Sequence, residues 1–214
     1  MTVTRFADFI SGAEPMTSPT RWAGVPLSDR RAERRALLVE AAYTLFGLEG
    51  EAAVTVRSVC RVCELNSRYF YESFANTDEL LGAVYDHVAM QLGEVVGEAT
   101  MAAAEDRKAQ TRAGIRAVLW FSAADPRRGR VMFTDGRANS ALAERRTAAQ
   151  DLLFQMVVED ERVNVDQDPV AARVAAALYT GALTELVHQW LAGRLGSDLD
   201  SIVDCALTRI LPNI

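Results

Sequence analysis

The segment Val54–Phe74, VTVRSVCRVCELNSRYFYESF, constrains this chain more than any other. Thr55 stands directly before Val56, Val59 and Cys60, which fall at helical spacing, so the threonine is the natural N-cap of a short helix reaching about Cys63. Glu64-Leu65 breaks that pattern. Asn66 is then placed to cap a second helix in which Phe70 and Phe74, four residues apart, share one face. With those rings turned inward, the opposite face presents Ser67, Arg68, Tyr69, Tyr71 and Ser73 to a partner. Two short helices joined by a tight turn make a helix-turn-helix, a device that lays its second helix in the major groove of a duplex. Arginine there can pair with guanine through two donors, and tyrosine or serine hydroxyls commonly serve phosphates.

The flanking sequence extends this reading. Ser28 or Asp29 opens a long helix to about Leu48, with Leu38, Ala41, Ala42, Leu45 and Phe46 as its apolar stripe and Gly50 placed to end it. Arg30, Arg31, Arg34 and Arg35 crowd its start, where the helix dipole favours acids, so the cluster makes better sense beside phosphates. After the helix pair, Asn76 and Glu79 have capping-box spacing, and Leu80, Leu81, Val84, Tyr85 and Val88 give a long apolar face. The first turn of that helix, near Asn76 and Thr77, offers backbone N–H groups to a phosphate.

Taken in order, Asp29-Arg30-Arg31, the helix RALLVEAAYTLFGLEG with its glycine stop, V-T-V-R, N-S-R-Y-F-Y-x-S-F and NTDELLGAVYDHV resemble the TetR family of bacterial transcription regulators. Family members often carry a small residue or glycine in place of Glu64, histidine in place of Ser73 and a basic residue in place of Thr77. The resemblance implies an all-α chain with an amino-terminal helix-turn-helix DNA-binding domain and a larger helical ligand-binding and dimerisation domain. The expected divisions are a flexible arm at 1–27, the DNA-binding domain at 28–75, and a helical linker, effector-binding and dimerisation domain at 76–214. Arg57 matches a family position that reaches DNA. Arg30, Arg31, Thr55, Asn66, Asn76 and Thr77 join the exposed residues of the second short helix as expected DNA contacts.

Composition narrows the alternatives. Half of the 214 residues are apolar, yet no uninterrupted run reaches the roughly eighteen needed to span a bilayer, which predicts a soluble chain with a sizeable core and no membrane partner. MTVTRFADFI lacks the charged head and long apolar run of a secretory signal. Three cysteines cannot complete a disulfide framework, so a reducing cytoplasm is the simpler setting. The net charge of −6 argues against indiscriminate coating of nucleic acid. The first 75 residues balance nine arginines against nine acids, and the rest carries the excess, fourteen basic against twenty acidic. Fitted contacts must then carry more of any DNA binding than bulk charge does.

Cys60-x-x-Cys63 falls on one helix with no second pair, so these are expected to pack as small apolar residues. His87 and His188 show no ligand spacing, and no phosphate loop or nucleophile motif is present. No metal, no cofactor and no enzymatic activity are expected.

Residues 1 to about 27 carry Pro15, Pro19 and Pro26 among Ser, Thr and Gly, a flexible arm by composition; alternatively, Arg5 or Arg21 enters a minor groove, or Trp22 pins the arm. Further helices are predicted from Arg107 to Ala123, from Asn139 to Asp160, from Pro169 to Ala192, and from Ser197 or Asp198 to Leu211. Asp125-Pro126 stops the first of these or starts a piece carrying Val131, Met132 and Phe133, and 159–168 reads as an exposed connection. Trp120, Phe121, Met132, Phe133, Phe154, Met156 and Tyr179 are the candidates for lining a small-molecule cavity, the other account being that they fill the core. Family resemblance places dimerisation on the last two long helices. Two heads about one DNA turn apart would read a palindromic double-stranded operator and combine their affinities. The expected activity is repression relieved by a small apolar or amphipathic effector. Activation, effector-independent repression, or a dimeric ligand- or protein-binding module with a degenerate head are the alternatives.

Overall fold

The computed structural model describes residues 27–134, 136, 138–164 and 168–210, and the expectations for the arm, including Arg5, Arg21 and Trp22, lie outside them. Helix α1 spans Leu27–Glu49. It closes where the Gly50 N–H donates to the Phe46 carbonyl at 2.9 Å and Gly50 takes φ 91, a left-handed conformation that suits glycine.

Helix α2, Val56–Val62, starts at Thr55, whose Oγ1 accepts from the Ser58 N–H while Ser58 Oγ accepts from the Thr55 N–H, a reciprocal box made by serine. Helix α3, Ser67–Tyr71, starts at Asn66, whose Oδ1 accepts from the Arg68 N–H at 2.8 Å. Helix α4, Thr77–Ala102, is capped by Asn76 through the Glu79 N–H. The Glu79 carboxylate reaches the N–H of Ala75 at 2.7 Å rather than that of the cap residue, so the expected box closes one residue early.

Helix α5 is Arg107–Ala124, capped by Asp106. Asp125-Pro126 does both things expected of it: Asp125 follows α5 and caps α6, Pro126–Gly129, which continues as a π-helical turn over Arg130–Thr134. Helix α7 runs Ser140–Asn164, so much of the predicted connection at 159–168 is helical. Glu159, Glu161 and Arg162 are residue types that favour helix, and the polar run holds no glycine or proline before Pro169. Helix α8, Pro169–Leu191, follows the Asp168 cap, and α9 covers Leu199–Ile210 with Asp198 accepting from the Ser201 N–H.

Two apolar clusters hold these helices. One is continuous from Leu38 and Phe46 of α1 through Phe70, Phe74, Leu80 and Val88 to Phe121, Val131 and Leu142. It therefore joins the helix pair to the larger helical body without a seam. The other, around Ile115, Leu119, Leu183, Val187, Val203 and Leu207, ties α5 to α8 and α9.

Glu64 sits between α2 and α3 at φ 54, a left-handed conformation that costs a residue with a Cβ about 1–2 kcal/mol. Glu64→Gly removes that cost but frees the unfolded chain by about 0.4–1 kcal/mol. A net gain of about 0.5–1 kcal/mol is expected, read as a higher urea midpoint at unchanged m.

Helix α8, with 23 residues, is long and apolar enough by length and mean composition to cross a membrane, and 22% of the relevant window is buried. The expectation that no uninterrupted apolar run reaches that length still holds. The sequence average is raised by alanines and valines rather than by an unbroken greasy run, and Arg173 and Glu185 interrupt it.

Candidate functional site

The outer face of the helix pair is built on two buried rings. Phe70 and Phe74 pack 5.9 Å apart between centroids, both in the core, as their spacing predicts. Ser67, Arg68 and Tyr69 are exposed opposite them, and Tyr71 is 62% exposed with its ring edge-on to Phe70 at 5.3 Å. Thr55, Arg57, Asn66 and Asn76 are exposed on the same part of the chain, with Thr77 half-buried. Three of these residues also cap helices, which fixes their side-chain oxygens: Thr55, Asn66 and Asn76 accept from Ser58, Arg68 and Glu79.

Ser73 departs from the expectation. Helix α3 ends at Tyr71, so the helical rotation that would have carried Ser73 to the outer face stops before it. Its N–H turns back to the Phe70 carbonyl at 2.9 Å, and its Oγ is buried with no hydrogen-bond partner among the described residues.

The arginines at the start of α1 brace the second short helix. Arg31 donates to the Glu72 carbonyl at the end of α3, and Arg34 lies over the Tyr69 ring at 4.6 Å. Arg35 covers Phe74 at 4.7 Å. Cations at a helix C-terminus and over aromatic faces are both favourable. Arg30 is exposed. The Glu72 carboxylate meets Arg68 at 3.0 Å and Arg34 at 3.8 Å, so the acid beside the outer face is screened by two guanidiniums. Cys60 and Cys63 pack within the pair, and burial raises both thiols above their ordinary range, which keeps them protonated and unreactive.

A cavity of about 440 Å³ opens among α4, α5, α7, α8 and the π-helical turn. Met132, Phe133, Met156 and Tyr179 are on its wall, as anticipated. Trp120, Phe121 and Phe154 are not: Trp120 is 48% exposed outside, Phe121 is buried in the first core cluster under the Arg128 guanidinium, and Phe154 is half-buried beside the lining residues Leu153 and Met156. Each step along a helix turns a side chain by about 100°, so Phe154 points one step away from the lining Leu153 and Trp120 two steps away from the lining Val118. The wall residues that were not anticipated include Tyr85, Leu92, Gly93 and Val96 of α4, and Gly114 of α5. Glycine inside an otherwise helical pattern was the available signal. Burial pushes the Tyr85 and Tyr179 phenols up to about 12.

The cavity and the helix pair meet through α6 and the turn after it. On one side, Arg130 donates to the Gly47 and Leu48 carbonyls at 3.1 and 3.0 Å, closing the open end of α1. Arg127 lies over the Tyr43 ring at 4.6 Å and pairs with Asp125 at 2.8 Å, while the Tyr43 hydroxyl donates to Asp125 at 3.0 Å. Gly47 is pressed so closely that a Cβ there would sit 2.3 Å from that of Arg127. On the other side, Arg146 donates to the Val131 and Met132 carbonyls, both at 2.9 Å, and His188 Nε2 donates to the Phe133 carbonyl at 3.1 Å. The bonds from Arg127 hold the Asp125 carboxyl down to about 2, so this link is complete above pH about 4 and weakens as pH falls toward 2.

A helix pair with an exposed polar and aromatic face, carried on a helical body that encloses an apolar cavity, is the architecture of the TetR-like regulators. No family model matches the chain. An HTH-type transcriptional repressor of Mycobacterium tuberculosis and an HTH-type transcriptional regulator of Mycobacterium bovis are each 33% identical to it over 73 residues, 31% of this chain and 39% of theirs. The chain thus spans about two-fifths of the length of these curated relatives. Among solved structures, a TetR-like transcriptional regulator from Rhodococcus sp. RHA1 aligns with TM-score 0.66 at 16% identity, covering 87% of this chain and 96% of that one. The fatty acid degradation regulator FadR from Bacillus halodurans aligns with TM-score 0.66 at 18% identity, over 85% and 96%. FadR from Bacillus subtilis, solved with stearoyl-CoA, gives 0.63 at 15% identity, over 84% and 98%. The chain has the TetR-like fold, and over the matched stretch its sequence is similar to HTH-type transcriptional regulators.

Proposed function

We propose that the chain is a homodimeric, sequence-specific DNA-binding transcription regulator, a repressor released from a palindromic operator by a small apolar or amphipathic molecule. The observation that carries the DNA-binding reading is the outer face of α3, where Ser67, Arg68 and Tyr71 stand exposed over the buried Phe70 and Phe74. Arg57, Arg30 and the first turn of α4 flank that face as phosphate ligands. The Arg68–Glu72 pair is exposed, and such pairs contribute only about 0.3–0.5 kcal/mol, so a duplex can claim the guanidinium.

The effector reading draws on the cavity and on FadR of Bacillus subtilis, whose structure holds stearoyl-CoA. Release requires the effector to bind two head arrangements with different affinities. Two elements run from the cavity to the head. Helix α4 begins at Asn76 beside the reading face and gives Tyr85, Leu92 and Val96 to the cavity, and the π-helical turn links Phe133 to the end of α1. The dimer reading draws on α8, whose Val170, Val174 and Leu178 are exposed on one stripe.

Selection from a random duplex pool with the full-length protein tests the first half of this reading. An enriched palindrome bound with salt-sensitive affinity is the expected result. A folded dimer that enriches no sequence and shows no salt-sensitive binding would favour the module with a degenerate head. Once an operator is in hand, Glu72→Gln is expected to tighten it about 3–10-fold at low salt, because it frees Arg68 and Arg34 and removes an anion near phosphates. The Arg31 bond to the Glu72 carbonyl survives this change, so thermal stability should barely move. Unchanged or weaker binding would place α3 away from the duplex.

A further inference from the structure

The polar groups of the cavity wall are unevenly matched. Tyr85 on α4 and Tyr179 on α8 both line the cavity, and neither phenol has a hydrogen-bond partner among the described residues. They sit in different surroundings: Asp86, Arg145 and Arg146 are the charged neighbours of Tyr85, and Arg107 and Asp160 those of Tyr179. The two hydroxyls therefore belong to different ends of the space. Thr184 already donates its proton to the Thr180 carbonyl, and His188 donates to that of Phe133. Among the described lining residues none is an aspartate or glutamate, whereas Arg146 and His188 both line the wall. A buried hydroxyl left without a partner costs free energy that a ligand acceptor would recover. A cation would enter an apolar space with no described carboxylate on its wall and pay its desolvation uncompensated.

Resting on the effector reading above, we propose that this cavity selects an elongated, non-cationic and largely apolar molecule with carbonyl-type acceptor oxygens toward both ends, one taken by Tyr85 and the other by Tyr179. It discriminates against cationic molecules of the same length. The volume suits a single drug-sized chain or ring system.

Calorimetry on the full-length protein with three probes tests this: dimethyl decanedioate, the length-matched dication 1,10-diaminodecane, and hexylbenzene, which has no acceptor. The diester is expected to bind at least about tenfold more tightly than the diamine. Tyr85→Phe and Tyr179→Phe should each weaken the diester about 3–10-fold, the range of one neutral hydrogen bond, and leave hexylbenzene unchanged. Neither hydroxyl has a hydrogen-bond partner among the described residues, so both variants should melt at or above the temperature of the parent. Diester binding that ignores both substitutions, or a diamine that binds as well as the diester, would overturn the proposal while leaving an apolar effector site standing. Failure of all three probes to bind would overturn the proposal and count against the effector reading itself.

Discussion

Leu178→Glu is expected to turn the proposed dimer into a folded monomer and to lower affinity for a palindromic duplex about 100-fold or more. Val170, Val174 and Leu178 repeat every fourth residue along α8 and are 67%, 53% and 68% exposed. Farther along the helix, a Cβ placed on Gly181 would meet nothing within 4 Å. A run of large apolar side chains ending at an open small residue is a surface that water does not favour and a second helix fits. In a twofold pairing each substituted residue appears twice, so two carboxylates enter one apolar seam. Neither has a partner there, and desolvating them opposes association. The stripe faces away from Ala172, Ala176, Leu183 and Val187, which carry the α8 side of the core, so the subunit itself should hold. Losing the second head forfeits the gain from bivalent binding, typically 10²–10⁴. Light scattering reads the mass and a duplex titration reads the affinity. A dimer of undiminished stability would remove α8 from the interface.

The helix pair was legible because its information is local. Thr55, Asn66 and Asn76 are side-chain caps adjacent to the helices they start, and Phe70 and Phe74 declare their common face by spacing alone. Ser73 was misplaced for the same local reason: the sequence carries no stop signal at Tyr71, and the turn is made by Phe70 accepting two N–H bonds, from Ser73 and Phe74. The cavity was much less legible. Its space is created in part by what Gly93 and Gly114 lack, and bulky aromatics announce themselves without saying which way they turn, so Met132 and Tyr179 were separable from Trp120 and Phe121 only after packing. The π-helical turn is tied to α1 by its own Arg130 and held at its carbonyls by Arg146 and His188 of later helices, and no local pattern encodes that.

Phe70→Ala is expected to destabilise the whole subunit by about 3–5 kcal/mol, the usual cost of emptying a buried phenylalanine site. Phe70 is fully buried, contacts the rings of Tyr71 and Phe74, and belongs to the apolar cluster that continues through Leu80 and Val88 into Phe121 and Leu142. Because α4 carries that cluster from the head into the body, the head has no core of its own to melt separately. One cooperative transition shifted downward is therefore expected, by about 6–20 °C given a dependence of about 2–4 °C per kcal/mol in a chain of this size. Operator binding should fall further than the fraction unfolded accounts for, since Tyr71 loses the ring it rests against. Calorimetry distinguishes the alternatives. A new low-temperature transition with the main one unmoved would mean that the helix pair is an independent unit, and then α4 could not transmit the state of the cavity to the reading face by shared packing.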